Sequence, residues 1–270
     1  RRAEITESLW RAAKEVGFFQ LTNHSISLDD IAEVFALSEQ FFALPAHTKA
    51  KYPLKEGLNA GWEFRAQVRP STGTADEKES YQFTIPHMDG LWPAQDELAN
   101  FQARLEAFEH KAWQLNMQGL SCFADKLGFE QDFFSKAHER SSAEYQSTLR
   151  LLHYLPMAGD AAQPGIWRAG AHTDFDCLTM VFQREGQGGL QVCPGKEALE
   201  SQTWTTVTPK TGVVTCNIGD MLMRWSDDEL LSTLHRVRMP LPEESQGSRY
   251  SIAFFAQANK DMVIQGPKKK

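Results

Sequence analysis

The chain has 270 residues, 41% of them hydrophobic, with 17 Phe and 7 Trp, which is enough apolar material for a large core and excludes a disordered chain. A formal net charge of −7 excludes binding to nucleic acid through a broad basic face, and no run approaches the eighteen apolar residues of a membrane span. Cys122, Cys177, Cys193 and Cys216 form no Cys-x-x-Cys pair, which argues against a thiolate zinc site and fits a reducing, cytoplasmic setting.

Ile5, Leu9, Ala12, Ala13 and Val16 recur at helical spacing, and Gly17 stands where a helix cap belongs. The apolar run from Phe18 to Thr22 predicts a strand. Leu28 to Phe42 predicts a second helix, with Ile31, Phe35 and Phe42 on one side and Pro45 beyond its end. Residues 52–96 are rich in Gly and Pro and read as loop with short extended pieces. Leu98, Phe101, Leu105, Phe108, Ala112, Leu115, Gly119 and Phe123 step by three and four, predicting one long amphipathic helix that stops at Gly128.

From about residue 146 short β-rich runs alternate with turn residues: 148–155, 177–183, 190–193, 204–207, 213–217, 221–225, 233–239 and 249–257. Asn217-Ile218-Gly219-Asp220 has tight-turn chemistry. The expected organisation is α+β: a helix-rich region, 1–145, packed on an antiparallel double sheet, 146–270, of which a jelly roll is one form. Arg1-Arg2 opens inside a predicted helix without an initiator Met, and Lys268, Lys269 and Lys270 close the chain. Both ends read as trimmed.

Among eight histidines, His172-Thr173-Asp174 is an H-x-D pair. On a strand, residues two apart face one side, so imidazole and carboxylate converge. A second histidine from another strand would complete a facial triad for non-haem Fe(II), and His235, in a strand-like Thr-Leu-His-Arg-Val run, is the candidate. His87-Met88-Asp89 repeats the spacing but sits between Pro86 and Gly90, where a surface turn is expected. His24, His47, His110 and His138 have no partner at ligand spacing and read as structural or exposed. Downstream, Arg249 and Ser251 lie two apart on a predicted strand, where a guanidinium fork and a hydroxyl can grip a carboxylate. Such a grip has no use in zinc hydrolysis, the competing reading of a His-Asp-His set. Gly186-Gln187-Gly188-Gly189 lacks the strand–helix context of a phosphate loop.

Taken in order, GFFQLTNHSI, DEKESYQF, LRLLHYLP, AGAHTDFDCLTMVFQ, GGLQV, NIGDML, STLHRVR and RYSIAFF resemble the 2-oxoglutarate- and Fe(II)-dependent oxygenases, in the branch that includes isopenicillin N synthase, over nearly the whole chain. The resemblance implies a double-stranded β-helix core with flanking N-terminal helices. It implies Fe(II) on His172, Asp174 and His235, and the distal carboxylate of 2-oxoglutarate on Arg249 and Ser251. It also implies O2 as oxidant and hydroxylation, desaturation or ring expansion of a small molecule, with a place in secondary metabolism. Within the family, the LRLLHY and AG-x-HTD segments are similar to a fungal thymine-dioxygenase-like group. That likeness makes Arg150 a candidate for a substrate carbonyl or acid and puts His153 near the cosubstrate. Phe175, Phe255 and Asn217 are candidates for the pocket wall. Two alternatives stay open: an oxidase of the isopenicillin N synthase kind that spends Arg249 and Ser251 on substrate, and a catalytically silent jelly-roll binding module.

Overall fold

Strand alternation splits the core into two layers. The computed structural model describes residues 1–68, 71, 73–157, 165–195 and 200–268. Its strands are β1 (Phe18–Leu21), β2 (Gly61–Phe64), β3 (Lys78–Phe83), β4 (Thr148–Tyr154), β5 (Ala169–His172), β6 (Leu178–Phe182), β7 (Leu190–Val192), β8 (Thr205–Thr206), β9 (Val214–Ile218), β10 (His235–Val237) and β11 (Arg249–Ala256). Seven form a large sheet in the order β1-β9-β6-β11-β4-β3-β2, and four form a small one in the order β5-β10-β7-β8. The result is the expected α+β jelly roll.

Each inner strand of the large sheet presents two chemically different faces. Leu149, Leu151, Met180, Ile252 and Phe254 join the main core on one side. Leu152, Tyr154 and Ala253 point the other way and meet Ala169, Leu190 and Val237 between the sheets. The main core is closed by α1 (Arg2–Glu15), α2 (Leu28–Ala43) and α4 (Phe101–Leu127), with α3 (Ala46–Lys49) and α5 (Phe133–Ala137) beside them. Phe101, Leu105, Phe108 and Phe123 on α4 are buried in it. Each such side chain contributes roughly 1.5–3 kcal/mol of transfer free energy, so this stripe holds the helix to the sheet. Gly128, at φ 75°, ends α4 in the left-handed region, as the sequence predicts. Ser27 opens α2 with a capping box: its Oγ accepts from the Asp30 N–H and the Asp30 carboxylate accepts from the Ser27 N–H.

Three stretches of the chain differ from expectation. Residues 52–96 contain β2 and β3, which widen the large sheet and carry it across the division predicted at residues 145 and 146. All of β3 is buried, yet Lys78, Glu79, Ser80 and Gln82 give it no apolar signal. Side chains satisfy them instead: Lys49 pairs with Glu79, Ser80 donates to Glu63 and Arg150 donates to Gln82. The predicted strand 221–225 is a short helix, α6 (Asp220–Trp225), with Leu222 and Trp225 buried on one side. A five-residue run such as Met-Leu-Met-Arg-Trp is too short to distinguish the two periods. Finally, β5 has only four residues, among them two alanines and a glycine, and left no strand pattern to read.

Candidate metal and cosubstrate site

β5 and β10 pair so that His172 stands directly across from His235. The ring centroids lie 4.3 Å apart. Asp174 is not on the strand with His172, as the two-residue spacing had implied, but in the turn after β5. Its Oδ1 lies 3.6 Å from Nε2 of His172 and 3.6 Å from Nε2 of His235. Among the described residues these three form the one group of His, Cys, Asp or Glu side chains close enough to share a metal ion.

The remaining polar atoms are spoken for. Nδ1 of His172 meets the Gly170 carbonyl at 2.7 Å, and Nδ1 of His235 meets the Thr233 carbonyl at 3.1 Å. A carbonyl can only accept, so each Nδ1 carries the proton and each Nε2 keeps its lone pair for a metal. Asp174 Oδ2 accepts from Thr179 Oγ1 at 2.7 Å and from Asn217 Nδ2 at 2.8 Å, leaving Oδ1 for the shared point. Burial opposes ionisation of Asp174, but the positive charge of the two imidazoles when they are protonated, together with these hydrogen-bond donors, outweighs it and holds its pKa below the usual carboxylate range. The donor set is two neutral imidazoles and one carboxylate with room for further ligands, which fits non-haem Fe(II).

The first turn of α6 fixes the turn that carries Asp174. Asp220 N–H donates to the Asp174 carbonyl at 2.8 Å, and Met221 N–H reaches the carbonyls of Phe175 and Asp176. Gly219 is the close approach that allows this. A Cβ there would sit 2.1 Å from the Asp176 carbonyl oxygen.

The inner face of the large sheet supplies the rest of the cavity. Arg150, Leu152 and Tyr154 of β4, Thr179 and Val181 of β6, and Arg249, Ser251, Ala253 and Phe255 of β11 line a narrow space of about 70 Å³ with His172, Asp174 and His235. Its mouth, about 220 Å³, adds Phe175, which is 76% exposed. Arg249 is buried over the Tyr154 ring at 4.6 Å, with Nε donating to the Gln187 carbonyl at 3.0 Å and Nη2 to Gln183 Oε1 at 3.1 Å. Its Nη1 is buried without a protein partner among the described residues. A buried guanidinium nitrogen left over in a cavity, near a serine, fits the carboxylate of a small acid. Arg150 lies over Phe255 at 4.8 Å and donates to Gln82 at 2.7 Å.

Two candidates sit elsewhere. His153 points to the helix side of β4, stacked on Tyr250 at 4.7 Å between Glu79 and Ser248, and does not line the cavity. The reason is alternation: Arg150, Leu152 and Tyr154 share the inner face, and His153 falls between them. Asn217 holds Asp174 rather than lining the cavity. His87 lies in a short turn, and its partner Asp89 is exposed. Thr179, Gln183, Gln187 and Tyr154 were missed by sequence reasoning. Only Tyr154, four residues past Arg150 on one strand, carried a readable signal.

Residues 145–258 match the family described as the 2OG-Fe(II) oxygenase superfamily, and residues 1–101 match the non-haem dioxygenase N-terminal region named for morphine synthesis. UPF0676 protein C1494.01 of Schizosaccharomyces pombe is 35% identical over 93% of this chain and 77% of its own length. The proline hydroxylase buaE of Petromyces alliaceus is 31% identical over 98% and 85%. The full-length thymine-7-hydroxylase of Neurospora crassa, solved with alpha-KG, superposes with a TM-score of 0.85 at 30% identity, over 99% of this chain and 84% of that one. The same protein has been solved with alpha-KG and thymine.

Proposed function

The chain belongs to the 2OG-Fe(II) oxygenase superfamily, and from that premise we propose that it oxidises a C–H bond of a small ring compound beside an Fe(II) held by His172, Asp174 and His235. It is a non-haem Fe(II)- and 2-oxoglutarate-dependent oxygenase with O2 as co-substrate. Bound together, Fe(II), 2-oxoglutarate and O2 supply an oxidant for the C–H bond, while 2-oxoglutarate leaves as succinate and CO2. The chain's own residues bind, orient and exclude water. Arg249 and Ser251 take the distal carboxylate, and Tyr154, Gln183 and Gln187 hold the Arg249 fork in place for it. The observation that carries this is Arg249, with Nη1 buried and without a partner among the described residues, on the wall of the cavity that also holds the three metal donors.

For the main substrate we assign Arg150 as donor to a carbonyl or acid group, Phe255 as a flat apolar wall and Phe175 as part of the mouth. The stacking of Arg150 on Phe255 supports a planar substrate, and the thymine bound to the Neurospora relative is of that kind. A role in secondary metabolism follows the small-molecule activity in the name of a relative, a proline hydroxylase. A cytoplasmic location is supported by four buried cysteines that form no disulfide, and no helix among the described residues is long and apolar enough to cross a membrane.

Two substitutions test the roles against each other. Arg249→Lys keeps a charge but loses the fork, and should weaken 2-oxoglutarate by roughly ten- to a hundredfold while sparing iron. Arg150→Ala should leave 2-oxoglutarate binding intact and, with thymine as first probe, impair product formation while succinate release continues. Unchanged 2-oxoglutarate affinity in Arg249→Lys, with weaker substrate binding, would instead favour an oxidase of the isopenicillin N synthase kind.

A further inference from the structure

Behind Arg249 lies a second cavity of about 420 Å³ that none of the three metal donors lines. The glycine-rich segment 185–189 and the segment 244–249 line two of its sides. Arg249 lines both cavities and is the wall between them. Arg168, Lys210, Arg238 and Arg249 face the second cavity against two carboxylates, Glu185 and Glu244. Glu244 is consumed by Arg238, which grips both of its oxygens at 2.7 and 2.6 Å. Glu185 is exposed at the rim.

Arg168 is the residue without an explanation. It is 3% exposed, and its Nη2 donates to the Gly247 carbonyl at 2.9 Å. Among the described residues its Nε is buried with no partner, and no carboxylate forms an ion pair with it. Burial, together with the neighbouring positive charge of Arg249, pushes its pKa down to about 10. A buried guanidinium without a counter-ion is costly unless an anion arrives.

We propose that this rear cavity is a second anion site, which takes a small dicarboxylate on Arg168 and Lys210 and weakens the binding of 2-oxoglutarate on the far side of Arg249. A dicarboxylate suits the site because Arg168 at the wall and Lys210 at the exposed edge can each take one carboxylate. The coupling is negative because the two ligands are like-charged and share Arg249 as the wall between them. It is reciprocal by linkage. The proposal rests on the assignment of 2-oxoglutarate to Arg249.

Succinate is the probe, since it is the dicarboxylate that the reaction itself releases. The full chain, loaded anaerobically with Fe(II), is titrated with 2-oxoglutarate at increasing succinate and constant ionic strength. A separate site predicts that the apparent Kd for 2-oxoglutarate rises about fivefold or more and then reaches a plateau. Simple competition at one site gives a rise without limit and would overturn the proposal. Arg168→Gln should abolish the saturable rise, so that the apparent Kd stays flat over the same succinate range, while 2-oxoglutarate affinity without succinate stays within about threefold. Lys210→Glu changes an exposed side chain, so it tests the same site without burden on the fold, and it should shift the plateau to several-fold higher succinate. A plateau unchanged in both variants would also overturn the proposal. Arg249→Lys keeps the two assignments apart. If it leaves 2-oxoglutarate affinity intact, the front-site assignment fails, whatever succinate does.

Discussion

At the scale of single residues, the site works by occupying the hydrogen-bonding atoms of the metal donors that the metal does not need. Asn217 shows this best. Its amide occupies Asp174 Oδ2 and leaves Oδ1 for the metal. Asn217→Ala should lower Fe(II) affinity by about ten- to a hundredfold, the usual loss when an outer partner of a ligand is removed. Direct metal titration checks it, and unchanged affinity would remove Asn217 from the account. A second residue is expected to contribute to the response of the fold to acid. His138 is fully buried, with Nδ1 2.7 Å from the Phe134 carbonyl. Burial outweighs the Phe134 carbonyl and the Ala256 carbonyl, 3.3 Å from Nε2, and pushes its pKa down to about 4 from an ordinary 6.5. Between those values the unfolded chain binds a proton that the folded chain refuses, so stability rises with pH across the window. The contribution is complete above about pH 6.5 and is lost as the pH falls towards 4, by on the order of 3 kcal/mol. Urea unfolding between about pH 7 and pH 4.5 should show a shallower decline in His138→Gln than in the parent chain. Equal slopes would assign the acid sensitivity to other groups.

At the scale of elements, short pieces do the positioning, and these were the hardest to read. The long helix α4 was legible because its apolar residues repeat over many turns. β4 and β11 were legible because their β-branched, aromatic and leucine-rich runs are long. β5, β3 and α6 were not, for three physical reasons: small residues, buried polar residues and an ambiguous five-residue run. The metal donors were legible as residue types with a spacing, but their geometry comes from a turn held by α6, which no pattern announces. Gly17 joins the N-terminal region to this machinery. It has φ 78°, and a Cβ on it would meet Thr233 Oγ1 at 2.1 Å and the Leu231 carbonyl oxygen at 2.3 Å. Thr233 in turn donates to the Val16 carbonyl and offers its own carbonyl to His235. Gly17→Ala should therefore destabilise the fold by more than about 1 kcal/mol, a fall of a few degrees in Tm. It should also weaken Fe(II) binding through the displaced His235. A variant that melts and binds metal like the parent would show that this junction tolerates a side chain.

At the scale of the whole molecule, the double sheet separates two tasks. The outer face of the large sheet is spent on helices and stability, and the inner face on polar side chains around a cavity. The polar inner face could be read in part from the alternation of Arg150, Leu152 and Tyr154, and of Arg249 and Ser251. The closing of the cavity could not, because the opposite wall comes from β5, β7 and β10, with four, three and three residues. The central claim is that the metal donors and the Arg249 clamp act on one cosubstrate in one cavity. The most direct measurement is an anaerobic titration of Fe(II) and 2-oxoglutarate into the chain, followed by visible absorption. The account predicts a weak charge-transfer band that needs both components, disappears in His172→Ala and requires far more 2-oxoglutarate in Arg249→Lys. A chain that binds Fe(II) but gives no such band at saturating 2-oxoglutarate would contradict it.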